Sequence, residues 1–279
     1  MEANASNQAW FRPEVFEKTH HDLTTLKARL PAEAVHSLAS EVIRRVSSRV
    51  RVIEVKAPEP SPEQIEHLAR ALISKDERAG AELVLDTTAA GMDIETVYLL
   101  YLAGAARLLG EWWDNSKVNL AEVAIGTSRI YSILRASDRL LVPKGRSSWK
   151  SAAFASSPNE THTLGIRMAA DLFRKDGWEI DLFMGRSHDE VVDDIEQSHH
   201  YLIGLSSAGR HSSAELARLI VALRLSKPTA FIMISGQIVN DAKDIVSVLD
   251  ADGIAHDYES AQAILEDFWG RLSPAEQMG

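Results

Sequence analysis

One histidine lies where the sequence pattern predicts that a strand gives way to a helix. His162 belongs to Ser157–Gly165 (Ser-Pro-Asn-Glu-Thr-His-Thr-Leu-Gly), which follows the apolar run Ala152–Ala155 and precedes the amphipathic segment Ile166–Lys175. In an open α/β sheet, ligands bind in the crevice at the carboxyl ends of the strands. Imidazole is a good ligand for a borderline transition metal. His162 is therefore a candidate metal ligand, and the alternative is an ordinary loop histidine.

Two later loops are predicted to reach the same edge of the sheet. Gly204–Ala208 follows the third strand-like run, and Ser235-Gly236 follows the fourth. Glycine there lets a bulky ligand approach the backbone closely. Glu160, two residues before His162, is placed to hydrogen-bond the second ring nitrogen, which would fix the tautomer and tune the basicity of the imidazole.

The elements that position these loops alternate from Ser151 onward. Strand-like runs are predicted at 152–155, 179–183, 201–205, 229–234 and 253–256. Helical patterns are predicted at 163–176, 188–197, 212–226, 239–248 and 259–271. Strands that alternate with helices of this length predict an α/β fold with a doubly wound, parallel five-stranded sheet, Rossmann-like and flavodoxin-like.

The chain before this sheet is predicted to be helical. Helical patterns occur at about 62–74, 76–89, 93–111 and 118–140, and their short connections predict an antiparallel four-helix bundle. Ser61-Pro62-Glu63 is a helix-start signal, with a capping serine and proline at the first position. We therefore expect three parts: an N-terminal arm (1–60), a helical bundle that caps the sheet domain (61–143) and the sheet domain itself (149–271).

The arm carries a helical pattern at 32–46, a short alternating run at 50–55 and the proline-rich linker Ala57–Pro62. A second linker is expected at Lys144–Ser148. The N-terminal arm is locally basic, which favours a solvated helix face and an edge strand. The alternative is a docking arm for an acidic partner or nucleic acid. The basic residues are Arg44, Arg45, Arg49, Arg51 and Lys56.

Composition limits the classes of function. The 279 residues are 45% hydrophobic and 25% charged, as in globular proteins. The absence of cysteine excludes disulfides, zinc–thiolate sites, iron–sulfur clusters and cysteine nucleophiles. A formal net charge of −10 argues against general nucleic-acid binding, so any direct contact with nucleic acid is expected through the basic arm.

The pattern also predicts a cytoplasmic protein. Neither a signal peptide nor an apolar run long enough to span a membrane occurs, so no membrane association is expected. The sequence shows no G-x-G-x-x-G after the first strand and no G-x-S-x-G elbow. We expect a protein that is not an enzyme.

Taken together, the three loops resemble the pattern of cobalamin-binding domains, D-x-H-x-x-G, then S-x-L, then G-G. Here the pattern has Glu160 for the aspartate, Ala208 for the leucine and Ser235 for the first glycine. The resemblance implies base-off cobalamin, with His162 as the lower axial ligand of cobalt and the nucleotide tail in a slot between sheet and helix. The implied cofactor-binding residues are Glu160, Thr161, His162, Thr163, Leu164, Gly165, Ser206, Ser207, Ser212, Ser235 and Gly236.

The bundle carries a second resemblance. Trp112, followed ten residues later by Glu122 and Val123, is similar to the W-x9-E-H signature of CarH-type cobalamin photoreceptors. This implies that Trp112, Trp113, Glu122 and Val123 face the upper side of the corrin, without the upper histidine. His162 would then be the only protein ligand of cobalt. The alternative is that both tryptophans are core anchors of the bundle.

Residues 62–270 also resemble the AerR/PpaA family of cobalamin-binding regulators of photosynthesis genes. This implies a co-regulator or antirepressor that contacts a PpsR/CrtJ-type transcription factor in response to cobalamin and light. Hydroxo-, adenosyl- and methylcobalamin stay open as the bound form, and so does a homo-oligomer. Two alternatives remain: a corrinoid methyl-carrier protein of a methyltransferase system, and a haem or tetrapyrrole sensor with His162 as axial ligand.

Overall fold

The computed structural model describes residues 11–48, 60–92, 97–136 and 150–272. The chain divides into two compact units, Met1–Val142 and Pro143–Gly279. The predicted run at 50–55 and the predicted linker at Lys144–Ser148 lie outside the described residues. Among the helices that the structure describes, none is both long and apolar enough to cross a bilayer.

The described part of the first unit is helical. Its elements are α1 (Pro13–Arg29), α2 (Ala32–Ser48), α3 (Pro62–Leu72), α4 (Ala79–Ala89), a π-helical stretch (Val97–Leu102) that continues into α5 (Ala103–Asp114), and α6 (Leu120–Ala136). Helix α3 starts as the sequence predicts, because Ser61 and Gln64 form a reciprocal capping box.

Residues 13–48, for which the sequence predicts an N-terminal arm, pack against the helices that follow. Helix α1 lies mainly on α6, and α2 lies on α5 and α6. Phe16, Leu23 and Leu26 recur at helical spacing on α1 and are buried. The apolar faces of α1 and α2 thus extend the core, and the described unit contains more than the four helices predicted.

The second unit is built on a parallel sheet of five strands in the order β2-β1-β3-β4-β5. The strands are β1 (Ser151–Ser156), β2 (Glu179–Phe183), β3 (Leu202–Ser206), β4 (Phe231–Ser235) and β5 (Gly253–Ile254). This is the flavodoxin-like order. The prediction of a helical N-terminal region followed by a doubly wound parallel sheet is confirmed.

Within residues 150–272, six α-helices connect or follow these strands. They are α7 (Leu164–Lys175), α8 (His188–Gln197), α9 (Ser213–Ser226), α10 (Ile238–Asp241), α11 (Lys243–Val246) and α12 (Tyr258–Leu272). The single helix predicted at 239–248 is two short helices, because the backbone at Ala242 (φ −136°, ψ 43°) leaves the helical region.

The core that supports the site lies between the sheet and helices α7 and α12. Phe173 of α7 is fully buried at its centre. Its ring meets those of Phe154, Trp178 and Tyr258 edge to face, with centroids 5.3, 5.8 and 5.0 Å away. Such aromatic packing fixes α7 against the sheet, and α7 begins directly after the histidine loop.

Candidate functional site

The strand order creates a crevice between β1 and β3. The chain leaves β1 toward β2 on one side and leaves β3 toward β4 on the other, so the two loops diverge at their carboxyl ends. Such a switch point is where open α/β sheets bind ligands. The loop after β1 (157–163) and the loop after β3 (207–212) therefore face each other.

A tight turn aims Glu160 across this crevice. The N–H of Glu160 donates to the carbonyl of Ser157 at 3.1 Å. Pro158 occupies the second position of the turn, and Asn159, with φ +60°, occupies the third. Proline and asparagine favour these positions because proline fixes φ and asparagine tolerates the left-handed region.

Both carboxylate oxygens of Glu160 are used. Oε1 accepts from the backbone N–H of His162 at 2.9 Å and lies 3.1 Å from His162 Nδ1. Oε2 accepts from the N–H of Ala208 at 2.9 Å and from Ser212 Oγ at 3.2 Å. One side chain thus joins the loops that follow β1 and β3.

These bonds determine the charge of Glu160. Burial alone would raise its pKa, but the backbone N–H groups of His162 and Ala208, the His162 ring and the Ser212 hydroxyl together lower the pKa to about 2. Glu160 is therefore ionised at neutral pH although its side chain is only 2% exposed.

The lowered pKa leads to a prediction about stability. Because the folded-state pKa lies below the ordinary value of 4.5, Glu160 stabilises the fold above that value and loses this effect as pH falls toward 2. The full contribution is about 3 kcal/mol at neutral pH. Glu160→Gln places an amide NH2 group opposite hydrogen-bond donors that now point at a carboxylate oxygen. We therefore expect the free energy of unfolding, measured in urea at pH 7, to fall by about 1–3 kcal/mol.

The difference between wild type and Glu160→Gln should shrink as unfolding is repeated from pH 5 down to pH 3. Glu190→Gln is the matched control, because the Glu190 carboxylate also accepts a hydrogen bond from a backbone N–H, that of Ser187, and has a lowered pKa, but Glu190 is exposed. We expect little change in that variant. A difference between wild type and Glu160→Gln that is constant over this pH range would contradict the assigned role of Glu160.

His162 presents its other ring nitrogen to solvent. Its side chain is 77% exposed, and Glu160 holds Nδ1. A carboxylate at Nδ1 favours the tautomer with the proton on that atom, which leaves the lone pair on Nε2. The neighbouring hydroxyl of Thr161 lies 3.4 Å from Nδ1, and Thr163 precedes helix α7. The loop thus holds an oriented imidazole whose Nε2 is open to solvent.

A cleft of about 350 Å³ lies beside this loop, between the sheet and helices α7 and α12. That volume is in the range of small-molecule sites. Its lining is mainly apolar and consists of Phe154, Gly165, Ile166, Met168, Ala169, Leu172, Phe173, Gly204, Ser206, Met233, Ser235, Gly236, Ala255, His256, Asp257, Tyr258 and Ala261. Four residues predicted for the cofactor, namely Gly165, Ser206, Ser235 and Gly236, are therefore brought together.

One apolar stripe of α7 is exposed on this side. Leu164, Met168 and Leu172 recur at four-residue spacing and are 70%, 56% and 42% exposed. Met168 and Leu172 line the cleft, and a Cβ at Gly165 would meet nothing within 4 Å. Large exposed apolar groups beside an open cleft indicate a ligand with an apolar part. The cleft therefore fits an aromatic or otherwise apolar part of a small molecule.

Ser207 and Gly236 shape the loops that border the cleft. Ser207 donates its N–H to the carbonyl of Ser235 at 3.2 Å, and its own carbonyl accepts from Ile238 at 3.2 Å. The Ser207 hydroxyl is buried and has no partner among the described residues. Gly236 has φ +95°, and a Cβ there would lie 2.4 Å from the Ser207 carbonyl oxygen. The backbone conformation and the close approach of Ser207 thus require glycine at position 236, which also lines the cleft.

The four residues predicted for the upper face all have roles inside the helical unit. Trp112 is buried, with the Arg70 guanidinium 5.1 Å from its ring centroid, and Trp113 meets the His36 ring at 4.4 Å. Val123 is fully buried. Glu122 forms a capping box with Asn119, which accounts for an acid at that position without a cofactor. Their contact with a corrin stays a prediction.

The sequence pattern does not reveal several residues of the site. The N–H of Ala208 is a backbone group that no side-chain pattern reveals. Met168 and Leu172 were visible only as part of an amphipathic helix. Tyr258 borders the cleft, and its hydroxyl donates to Asp176 Oδ2 at 2.6 Å. Burial, followed by this bond, raises the pKa of Tyr258 to about 12.

An ionised relay carboxylate, an oriented exposed imidazole and an adjoining apolar cleft at the switch point define a cofactor-binding α/β domain. Residues 150–265 match the family model of the B12 binding domain. This match confirms the resemblance to cobalamin-binding domains for the second unit.

The chain is similar, at low sequence identity, to a bacterial protein and to solved structures. A protein described as an uncharacterized 20.5 kDa protein in the bchF-crtJ intergenic region of Rhodobacter capsulatus is 25% identical over 173 residues, which are 61% of this chain and 90% of that protein. Two solved structures are each 17% identical. The monomethylamine corrinoid protein of Methanosarcina barkeri has a TM-score of 0.37, and its match covers 74% of this chain and 98% of that protein's chain. A cobalamin-binding protein from Desulfitobacterium hafniense DCB-2 has a TM-score of 0.40, and its match covers 73% of this chain and 98% of that protein's chain.

Proposed function

We propose that this protein binds cobalamin in the base-off form, with His162 Nε2 as the lower ligand of cobalt. The observation that carries the proposal is the bond between Glu160 and His162 Nδ1 in the loop before helix α7, whose residues line an apolar cleft. The cofactor supplies cobalt-centred chemistry, which includes light-sensitive cobalt–carbon bonds in its alkyl forms. Residues of this chain bind and orient the cofactor.

Glu160 makes His162 a stronger ligand. As an ionised carboxylate it stabilises positive charge that develops on the imidazole when Nε2 donates its lone pair. Ala208 and Ser212 hold the second oxygen of Glu160, so the carboxylate cannot turn away. His162, Glu160 and Ser212 thus form a continuous hydrogen-bonded relay that a ligand at Nε2 would extend.

The loops and the cleft hold the rest of the cofactor in this proposal. The displaced base and its nucleotide tail enter between α7 and the sheet, past Gly165, Ser206 and Ser235. The backbone around Thr161, Thr163, Leu164 and Ser207 borders the corrin.

We propose further that the bound protein is a transcriptional co-regulator that acts through contact with a PpsR/CrtJ-type factor. Two observations support this. Residues 62–270 resemble the AerR/PpaA regulators, and the Rhodobacter capsulatus relative is described by its position beside crtJ. The role needs no catalysis by the chain itself.

Absorption spectra test cofactor binding directly. Purified protein is mixed with hydroxo-, methyl- and adenosylcobalamin and with haemin, in darkness and after illumination. We expect at least one cobalamin to bind and shift to a base-off, histidine-ligated spectrum. No shift with any cobalamin would refute cofactor binding, and a haemin shift alone would instead identify a haem sensor.

Partner assays test the regulatory role. We expect the protein to retain a PpsR/CrtJ-type factor in pull-downs, with retention that depends on bound cobalamin. Methyl transfer from methanol or a methylamine to the bound cobalt, together with the matching methyltransferase, would instead identify a methyl carrier. Equal retention with and without cobalamin would contradict regulation by the cofactor.

A further inference from the structure

The cleft has two levels on one face of the sheet. Phe154, Gly204 and Met233 are paired side by side on β1, β3 and β4. Ser206 and Ser235 lie two residues further along β3 and β4, and alternate residues of a strand point to the same face. The serines therefore form the mouth of the cleft, and Phe154, Gly204 and Met233 form its floor.

The floor is closed by an aromatic ring. A Cβ at Gly204 would lie 2.8 Å from Cδ1 of Phe154, so the Phe154 ring occupies the space that a side chain at Gly204 would fill. Phe154 and Met233 are each only 3% exposed, and Phe173 braces the Phe154 ring edge-on at 5.3 Å. The floor offers carbon and thioether surface to a ligand.

Several of the polar side chains that line the cleft already have hydrogen-bond partners. Asp257 accepts from the N–H and the hydroxyl of Ser260 at 2.8 and 2.6 Å. The hydroxyl of Tyr258 is bound to Asp176, and Ser235 Oγ donates to the Leu205 carbonyl at 3.3 Å. Among the described residues that line the floor, no side chain can pair with a buried amine or ring nitrogen.

We infer that the cleft selects cobamides by their lower base, taking benzimidazole bases and disfavouring purines. The inference rests on the proposed function, because the base reaches the cleft only when His162 has displaced it from cobalt. An adenine base carries an exocyclic amine and extra ring nitrogens, and burying them without partners is unfavourable. Dimethylbenzimidazole offers methyl groups and C–H edges instead.

The test compares three probes on the wild-type protein by spectrophotometric titration: hydroxocobalamin, hydroxo-adeninylcobamide and hydroxocobinamide, which lacks a base. We expect the adenine form to bind about 10- to 100-fold more weakly than hydroxocobalamin, since an apolar pocket rejects an added polar group by factors of this order. Cobinamide should also bind more weakly than hydroxocobalamin because it leaves the cleft unfilled.

Failure of the inference and failure of the proposed function give different results. Equal affinities for hydroxocobalamin and the adenine form, both with base-off spectra, would overturn selection while leaving cobalamin binding intact. Cobinamide that binds as tightly as hydroxocobalamin would show that the cleft holds no base, which also overturns it. No binding of any probe would refute the proposed function and the inference with it.

Met233 allows a matched pair of variants. Met233→Gln adds an amide to the floor at similar size, and Met233→Leu keeps it apolar. We expect the preference for hydroxocobalamin over the adenine form to narrow at least threefold in the glutamine variant and to persist in the leucine variant. An unchanged ratio in a folded Met233→Gln protein would contradict the floor assignment, and the wild-type comparison decides independently of either variant.

Discussion

His162→Ala is expected to raise the Kd for hydroxocobalamin at least 100-fold, a loss of about 3 kcal/mol. Loss of a partner that merely orients a metal ligand costs 10- to 100-fold in affinity, so loss of the ligand itself should cost at least as much. The residual complex should lack the absorption spectrum of histidine-ligated cobalt. Because the side chain is exposed and outside the core, the free energy of unfolding should change little.

Added imidazole separates a ligand role from a structural one. We expect free imidazole to restore the spectrum of histidine-ligated cobalt in the alanine variant, because it can occupy the place of the missing ring. His211→Ala is the matched control, since His211 is an exposed histidine in the loop across the crevice and should bind cobalamin as the wild type does. A histidine-ligated spectrum in His162→Ala without added imidazole would assign the cobalt ligand elsewhere, with His256 at the cleft the first residue to examine.

The sheet and its loops could be predicted because their signals are local. Buried parallel strands are continuous apolar runs, and the helices between them repeat every 3.6 residues. The pairing of Glu160 with His162 is equally local, because the two residues are separated by one position in a turn. Ser212 was named through its resemblance to a family pattern, and the structure places its hydroxyl on Glu160.

What could not be predicted depends on long-range geometry. The floor of the cleft exists because Phe154 of β1 lies across Gly204 of β3, fifty positions later in the chain. The exposure of Met168 follows from an open space between α7 and the sheet, which helical periodicity cannot show. A pattern identifies an apolar face and leaves open what covers it.

Long-range packing also explains why the sequence does not predict that the N-terminal helices belong to the helical unit. The proline-rich segment after residue 56 is typical of a linker, so the sequence predicts a separate arm before it. The apolar faces of α1 and α2 pack on α5 and α6, which lie far along the sequence. The break at Ala242 is similar, since neither glycine nor proline marks it. For Trp112 and Glu122, the helical unit itself supplies partners for the side chains that the resemblance assigned to a cofactor.

Gly236→Ala is expected to lower the free energy of unfolding by about 3 kcal/mol or more. Two effects combine at this position. The backbone has φ +95°, which strains any residue with a Cβ, and the new Cβ would lie 2.4 Å from the Ser207 carbonyl oxygen. That oxygen belongs to backbone and accepts from the N–H of Ile238, so the loops after β3 and β4 must move apart. Since both border the cleft, affinity for hydroxocobalamin should fall at least about tenfold.

A second glycine separates strain from close approach. Gly177 has φ +86°, but a Cβ there would meet nothing within 4 Å. Gly177→Ala should therefore cost only the backbone strain, about 1 kcal/mol, and should leave cobalamin binding unchanged because Gly177 precedes β2 at the far end of α7. Urea unfolding and cobalamin titration of both variants measure these effects. If Gly236→Ala were no more destabilising than Gly177→Ala and bound cobalamin normally, the tight contact between the two loops would not be what shapes the cofactor site.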